Sequence, residues 1–305
     1  MDINSWNRLD FVGDIHANSK KFISLLEKLG YVFVNDKWEH SENRQLVILG
    51  DFINAGFDNI QTLSILYKLW KSNKAIILLG NHEYFLAWYY FKFGRTAFTS
   101  SKSPLINDYE SLLNEFKNSV DELCVYTEWL LGFPLFIEND KFRAVHAYWS
   151  ENNIEQIKPY KNLKQLFEKF ENSKSKEKIL KNAINETIEG LKIQLYVSCK
   201  MDKPVKYRVK WWQNIYNKPL PQSIMTHRPV KCPGIIVAPE LLPGFKHYAE
   251  TEIPVFFGHY WFQTLPYLLR NNVCCLDFGA SKGGYLVAYR WNGEKELNVN
   301  NLVYL

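Results

Sequence analysis

The sequence predicts a mixed α/β fold, and two patterns in the 305-residue chain carry this prediction. Six short apolar runs of strand length each end in Asp, His or Asn, and longer segments between them place apolar residues at helical spacing. Strands that are apolar along their whole length are buried on both faces, as in sheets covered by helices. A hydrophobic content of 47% and an aromatic content of 16% exclude a disordered chain.

The polar residues at these six strand ends are the main evidence for function. Three motifs, Gly13-Asp14-Ile15-His16, Gly50-Asp51 and Gly80-Asn81-His82-Glu83, follow the apolar runs 9–12, 46–49 and 75–79. Three more, His146-Ala147, Gly258-His259 and Asp277-Phe278-Gly279, follow the runs 142–145, 253–257 and 273–276. In Asp14-x-His16 the spacing places both side chains on one side of an extended backbone. Carboxylate, imidazole and amide groups suit borderline divalent metals, so the motifs predict a metal site at a sheet edge.

The net charge of +5 is concentrated in one segment. Residues 158–210 contain 14 Lys and Arg against 6 Asp and Glu, so the remainder of the chain is slightly acidic. Apolar spacing predicts two amphipathic helices here, within 163–170 and 179–191. We interpret the segment as a solvated helical insert, with a basic lid over an anionic substrate and a nucleic-acid surface as alternatives. Trp211, Trp212 and Tyr216 either pack this insert onto the core or stack on a nucleotide or a nucleic acid.

Composition also limits the cellular setting. No run approaches the roughly 20 apolar residues of a membrane helix, and the polar N-terminus is not typical of a signal peptide. The cysteines are odd in number and lack Cys-x-x-Cys spacing; they are Cys124, Cys199, Cys232, Cys274 and Cys275. Such thiols are typical of a reducing compartment, so we expect a cytoplasmic protein with no membrane partner.

The motifs resemble those of the calcineurin-like metallophosphoesterases, in the phosphoprotein phosphatase branch. Gly80-Asn81-His82-Glu83 is the most specific element, and Gly258-His259-Tyr260-Trp261 lacks the second histidine that ends the phosphodiesterase branch. The layout is most similar to bacterial symmetrical diadenosine tetraphosphatases, on Phe256-Phe257-Gly258-His259 and on Leu276-Asp277-Phe278-Gly279 with Gly283-Gly284 after it. The resemblance implies one metallophosphoesterase domain with a central β-sandwich flanked by helices. Its core would be 1–147 and 252–305, and a basic helical cap would be inserted at about 148–251.

The resemblance also implies two divalent metal ions, for which Mn, Fe, Zn and Ni are all suited. Asp14, His16 and Asp51 would hold the first ion, with Asp51 bridging, and Asn81, His146 and His259 would complete the second. His82 would be the general acid. Two such ions lower the pKa of a shared water and stabilise charge on phosphoryl oxygens.

Two residues depart from the family pattern Gly-Asp-x-x-Asp-Arg-Gly. Asn54 stands where an aspartate would orient the catalytic His82, and Ala55 stands where a phosphate-binding arginine is expected. A carboxylate would favour the imidazolium form, and a guanidinium makes paired contacts that lysine does not reproduce. Either another cation replaces the arginine, with Arg228, Lys282 and Arg95 as candidate substrate-binding residues, or the activity is slow and the substrate unusual.

The predicted function is metal-dependent hydrolysis of phosphoester or phosphoanhydride bonds in an anionic substrate, namely a dinucleoside polyphosphate or related nucleotide. A protein serine/threonine phosphatase is the second candidate, because only the groove would differ. A nucleic-acid-end phosphatase is the third, on account of the basic insert. The non-enzymatic alternative is a decayed phosphatase that serves as a metal-stabilised binding module, although all six expected ligands and His82 are present.

Overall fold

The computed structural model describes residues 8–171, 177–196, 204–227, 229–230 and 233–305. Its strands are β1 (Leu9–Val12), β2 (Tyr31–Val34), β3 (Lys37–His40), β4 (Gln45–Ile48), β5 (Ala75–Ile77), β6 (Phe136–Glu138), β7 (Arg143–Val145), β8 (Lys192–Leu195), β9 (Val205–Val209), β10 (Ile224–Met225), β11 (Val255–Phe257), β12 (Val273–Cys275), β13 (Asp277–Phe278), β14 (Tyr285–Trp291) and β15 (Leu302–Tyr304). Its α-helices are α1 (Ser19–Lys28), α2 (Asn59–Lys71), α3 (Asn81–Phe93), α4 (Thr96–Thr99), α5 (Leu105–Asp108), α6 (Glu110–Glu115), α7 (Val120–Leu130), α8 (Glu151–Ile157), α9 (Leu163–Glu171), α10 (Glu177–Glu189) and α11 (Leu220–Ser223). Short 3₁₀ turns occupy Pro239–Leu241, Ala280–Lys282 and Val299–Asn301.

Two β-sheets pack face to face. The larger sheet has the order β13-β14-β1-β4-β5, with β15 paired to β14, and the smaller has the order β12-β11-β7-β6. Phe11 of the larger sheet stacks on Phe256 of the smaller, with ring centroids 3.7 Å apart, and Phe142 packs against both rings. The predicted central β-sandwich is therefore confirmed.

Helices cover the outer face of the larger sheet. Phe11 and Val47 contribute to the core between the sheets, whereas Val12 and Ile48, the next residues along each strand, pack in the helical layer with Phe22 of α1. The strands are thus buried on both faces, which explains why they are apolar throughout.

Parallel pairing determines where the six strand ends lie. Strands β1, β4 and β5 are parallel neighbours in the larger sheet, and β7, β11 and β12 are parallel neighbours in the smaller. The carboxyl ends of parallel neighbours meet at one edge of a sheet. Each sheet therefore contributes three of the six polar motifs.

The insert contains the two predicted helices, α9 and α10, with residues 172–176 between them outside the described range. It also contains an antiparallel sheet in the order β10-β9-β8, which the sequence analysis did not predict. In β9, Lys206 and Arg208 alternate with buried Tyr207 and Val209, the pattern of a strand with one covered face. The high density of Lys and Arg obscured this alternation.

The aromatic residues of the insert are packing residues. Trp211 and Trp212 are buried, and both rings lie against Phe257 of the smaller sheet. The Trp211 indole also donates a hydrogen bond to the Ala147 carbonyl oxygen. The structure therefore supports packing of these rings onto the core over nucleotide stacking.

In the part of the chain that the structure describes, no helix combines the length and the apolar character needed to cross a membrane.

Candidate metal centre

The predicted ligands follow the carboxyl ends of parallel strands from both sheets. They are Asp14 and His16 after β1, Asp51 after β4, Asn81 after β5, His146 after β7 and His259 after β11. Two glycines allow the loops to touch. A Cβ on Gly50, whose φ is 97°, would lie 2.4 Å from the Gly80 backbone nitrogen, and one on Gly258 would lie 2.0 Å from Asp14 Oδ1. These contacts leave space only for glycine.

One group of ligand atoms comes from Asp51, His146 and His259, which lie within 4.8 Å of one another. His146 Nδ1 lies 2.7 Å from the Leu49 carbonyl oxygen, so in the neutral ring Nδ1 carries the hydrogen and donates it. The lone pair of Nε2 then lies 3.3 Å from Asp51 Oδ2. With a neutral ring, two acceptors face each other, which fits a metal bound between them. Burial lowers the pKa of His146 but the Asp51 charge outweighs it and raises the pKa, so without a metal the protonated ring pairs with Asp51.

His259 is oriented in the same way. Its Nε2 lies 3.1 Å from the Glu189 carbonyl oxygen and donates to it in the neutral ring, which leaves Nδ1 with the lone pair. Burial, and next the Arg208 guanidinium, lower the pKa of His259 well below its ordinary value. Burial likewise lowers the pKa of His16. Low pKa values favour neutral imidazole, which is the form that binds metals.

The other group comprises His16, Asp51 and His82, again within 4.8 Å. Asp51 belongs to both groups, in the position of a bridging ligand. Asp14 lies beside this group, with its Oδ2 3.9 Å from His16 Nε2. Both Asp14 oxygens accept from the His259 backbone N–H at 3.2 Å.

Whether these residues fit a metal ion can be judged from buried polar atoms that have no hydrogen-bond partner. Within the described residues, His16 Nδ1, Asn81 Oδ1 and His146 Nε2 are buried and have no hydrogen-bond partner. Buried polar groups are hydrogen-bonded in the large majority of cases, because an unpaired one is destabilising. All three atoms can coordinate a divalent cation, so the donor set fits such an ion.

The carboxylates add a second reason for a cation. Burial, and next the charges of Asp277 and Asp51, raise the pKa of Asp14 well above its ordinary value. Burial also raises the pKa of Glu83 and of Asp277. Several acidic groups in one dry site are compensated most directly by bound positive charge.

Glu83 has a positioning role that the sequence analysis did not assign. Its carboxylate is fully buried and accepts hydrogen bonds from the backbone N–H groups of Asp51, Phe52, Ile53 and Gly80 at 2.9–3.0 Å. It therefore joins the loop after β4 to the loop after β5. The Gly-Asn-His-Glu motif marks Glu83 in the sequence but does not indicate this role. Apart from Gly80, the residues whose N–H groups donate to Glu83 are 30 or more positions away along the chain.

Asp277 makes a similar connection for the last motif. Its Oδ2 accepts from the Trp261 backbone N–H at 2.6 Å, and its Oδ1 accepts from the Gly279 backbone N–H at 3.1 Å. The sequence marked Asp277 as a polar strand end and gave it no role. The structure shows that it fixes the backbone that follows His259.

The backbone of these loops is unusual. Of the twelve non-glycine residues with positive φ in the described ranges, five are Asn or Asp outside the site, in which this conformation is common. The other seven lie in the motif loops and are His16, Ala17, Asp51, Asn54, Ala55, His259 and Trp261. Such conformations persist only where surrounding contacts enforce them, and they cluster at functional sites.

Asn54 contacts the ring of His82. Its Nδ2 donates to the Asp108 carbonyl oxygen at 2.6 Å and lies 3.0 Å from His82 Nδ1. The Tyr109 hydroxyl donates to the His82 carbonyl oxygen at 2.7 Å, which holds the backbone at this residue. Asn54 therefore orients His82 by donating to it, whereas an aspartate would accept from it.

The three predicted substrate-binding cations have different surroundings. Arg228 lies outside the described residues. Arg95 is exposed and pairs with Asp121 at 2.8 Å, and the metal-site residues are not among its partners in the described chain. Lys282 lines a cleft beside Trp261. Among the described residues, Arg208 contacts the site: its Nη1 donates to the His259 carbonyl oxygen at 3.2 Å. The sequence analysis missed it because β9 was not predicted.

Comparison with known proteins agrees with this geometry. The family model for calcineurin-like phosphoesterases matches residues 8–260. An asymmetrical bis(5'-nucleosyl)-tetraphosphatase PrpE from Oceanobacillus iheyensis is 32% identical over 141 residues, which are 46% of this chain and 55% of that protein. The chain thus spans about half of that relative. A symmetrical bis(5'-nucleosyl)-tetraphosphatase from Buchnera aphidicola is 27% identical over 93% of this chain and 95% of its own length.

A solved structure named, provisionally, as a diadenosine tetraphosphatase has a TM-score of 0.51 over 99% of this chain and 94% of its own. Its sequence is 16% identical, so it supports the fold alone. The family match and the donor set together support the prediction of a metal-dependent phosphoric ester or anhydride hydrolase.

Proposed function

Because the chain belongs to the calcineurin-like phosphoesterase family, we propose that it hydrolyses a phosphoanhydride bond in a dinucleoside polyphosphate or a related nucleotide at a centre of two divalent metal ions. The observation that carries the proposal is the position of Asp51, whose carboxylate lies within 4.8 Å of the ring nitrogens of His16 on one side and of His146 and His259 on the other. The names of two relatives, both bis(5'-nucleosyl)-tetraphosphatases, support the choice of substrate class.

The proposed ligands are the six residues that the motifs indicate: Asp14, His16, Asp51, Asn81, His146 and His259. When bound, divalent ions lower the pKa of water and stabilise negative charge on phosphoryl oxygens. Glu83 and Leu49 keep Asp51 and His146 in orientation through hydrogen bonds, so little reorganisation is needed when substrate binds.

His82 is proposed as the proton donor to the leaving oxygen, not as a ligand. Since Asn54 Nδ2 donates to His82 Nδ1, the neutral ring carries its hydrogen on Nε2, which then has no lone pair for a metal. Nε2 lies 3.9 Å from Asp51 Oδ2, at the centre of the site, and its ring is about one-quarter exposed. Nε2–H can therefore donate a hydrogen bond to a bound phosphate ester, and transfer of the proton to the leaving oxygen requires the imidazolium form of the ring.

Arg208 is proposed to supply the phosphate contact that Ala55 lacks. Its guanidinium donates to the His259 carbonyl oxygen. Lys192 of β8 is paired in register with Arg208, but its ammonium group forms an ion pair with Glu189 at 2.6 Å. A guanidinium presents several donors in one plane, which suits phosphate oxygens. This role favours the alternative in which the insert, at about 148–251, borders the substrate site over a solvated helical insert.

A substrate panel with added Mn²⁺ tests the proposal. The substrates are diadenosine tetraphosphate, a phosphopeptide, a nucleic acid with a phosphorylated end and bis(p-nitrophenyl) phosphate. We expect the highest kcat/KM on the dinucleotide. Faster cleavage of the phosphopeptide or of the nucleic-acid end would replace the proposed substrate with that one.

The same panel with His82→Ala separates an enzyme from a binding module. We expect turnover to fall by about 10²–10⁴-fold while the bound metal, measured by elemental analysis, is retained. His247→Ala is the control, because His247 is exposed and outside the metal site. No metal-dependent turnover on any substrate would favour the binding module.

A further inference from the structure

A cleft of about 370 Å³ opens beside the loop that carries His259. Its lining includes Trp261, Phe262, Phe278, Lys282 and Tyr285. The volume falls in the range of small-molecule sites, roughly 300–1,000 Å³. Because Trp261 is two residues after His259, one wall of the cleft begins at the metal centre.

Trp261 is held in position by its surroundings. Its φ of 45° is rare for a bulky residue, and its backbone N–H donates to Asp277 Oδ2 at 2.6 Å. The indole lies over Gly279, where a Cβ would be 2.3 Å from Trp261 Nε1. The ring of His227 lies against it at 4.2 Å between centroids. The indole is half-buried, so it is fixed in place and still reaches the cleft.

The opposite wall is a loop fixed to the core. Lys21 Nζ of α1 donates to the carbonyl oxygens of Gly284 and Ala280, and the Lys282 backbone N–H donates to the Gly279 carbonyl oxygen. The Lys282 side chain is exposed, and no ion pair joins it to any residue in the described ranges. The cleft thus combines a fixed indole, an apolar floor of Phe262 and Phe278, and an ammonium group at its rim.

We infer that this cleft binds one nucleoside of the substrate, with the nucleobase stacked on Trp261 and Lys282 in contact with an adjoining phosphate; this inference rests on the proposed nucleotide substrate. Aromatic rings bind bases through their flat faces with little preference for sequence, and an ammonium group attracts phosphate. The strained backbone at Trp261 is consistent with a residue positioned for a ligand.

Calorimetric titration with ADP and with pyrophosphate tests the subsite, with Mn²⁺ added in both cases. We expect Trp261→Ala to weaken ADP binding at least 10-fold and to change pyrophosphate binding less than twofold, because only ADP has a base to stack. Trp261→Phe keeps an aromatic face and should lose less than threefold. Trp261→Leu, which fills space without an aromatic face, should behave like Trp261→Ala and replaces it if the alanine variant unfolds.

Tyr267→Ala is the matched control. Tyr267 packs on Phe262 and Phe278 next to the cleft without lining it, and its loss should leave ADP binding within twofold of wild type. Unchanged ADP affinity in the alanine and leucine variants, or an equal loss for pyrophosphate, would overturn the subsite. A protein that binds ADP through Trp261 but does not hydrolyse diadenosine tetraphosphate would keep the subsite and refute the proposed function.

Discussion

Two buried polar clusters lie four residues apart along the chain, one around Asp10 within β1 and one around Asp14 just after it. Asp10 is fully buried and accepts from Arg44, Arg290 and the Tyr31 hydroxyl. Asp14 is almost as buried, but neighbouring ligand atoms on His16, Asn81 and His146 have no hydrogen-bond partner within the described residues. The first cluster is complete within the protein, and the second leaves lone pairs for a ligand.

The arginines of the two clusters, Arg44 and Arg208, also differ in how many of their donors have partners. Arg44 is about 1% exposed, and its donors reach Asp10, Asn292 and the carbonyl oxygens of Leu9 and Trp291. Arg208 is partly exposed, and the structure gives its guanidinium one hydrogen bond to a described residue, the His259 carbonyl oxygen. The comparison shows that burial alone does not identify a functional polar cluster. Here the two clusters differ in whether their buried polar atoms have hydrogen-bond partners.

Replacing the shared ligand should have the largest effect on hydrolysis. We expect Asp51→Asn to abolish measurable turnover and to lower the bound metal, since both ligand groups lose the same carboxylate. Elemental analysis and the substrate panel check this, with exposed Asp36→Asn as the control. Full metal content with wild-type turnover would show that Asp51 is not a ligand.

Removing the Arg208 guanidinium should have the second-largest effect, on substrate binding. We expect Arg208→Ala to raise KM for diadenosine tetraphosphate by about 10-fold, in line with the loss of a charge-assisted hydrogen bond, and Arg208→Lys to recover only part of it. Added guanidinium ion should partly restore the alanine variant. Exposed Arg8→Ala is the control, and an unchanged KM in Arg208→Ala would remove the assignment.

Glu83→Gln tests the positioning of Asp51. A glutamine can accept through one oxygen only, and its amide nitrogen would face backbone N–H groups, so the loop should loosen. We expect metal affinity to fall by about 10–100-fold, measured by metal titration of activity, with turnover restored at saturating metal. Exposed Glu39→Gln should not change the titration. A variant that binds metal normally would show that Glu83 acts only on the fold.

Arg44→Met should affect hydrolysis least, although it destabilises the fold. Asp10 would keep only Arg290 and the Tyr31 hydroxyl as partners, so the free energy of unfolding should fall by about 3 kcal/mol in urea titrations, the low end for a broken buried ion pair. The double variant Asp10→Asn, Arg44→Met should recover part of this loss. Turnover per folded molecule and metal content should stay within twofold of wild type. A selective loss of metal would mean that the two clusters are coupled.

Most of the proposed site was predictable because each proposed ligand belongs to a short local motif. All six predicted ligands and His82 lie at the loops where the parallel strands end. The residues that support them were not predictable in this way. Glu83 and Asp277 act on backbone groups that are distant along the chain, and Arg208 lies on a strand whose register with β8 and β10 depends on tertiary pairing.

The sequence by itself determined the mixed α/β character and the residue types of the proposed ligands, since apolar strands and polar strand ends are local properties of the chain, and the resemblance to the family implied the β-sandwich. Only the tertiary structure decided which lone pairs remain open, which cation reaches the site and that Trp211 and Trp212 are buried whereas Trp261 reaches a cleft. The physical reason is that hydrogen-bond partnering and burial depend on contacts between distant segments. Residues of the same type, such as Asp10 and Asp14, therefore take different roles only once the chain has folded.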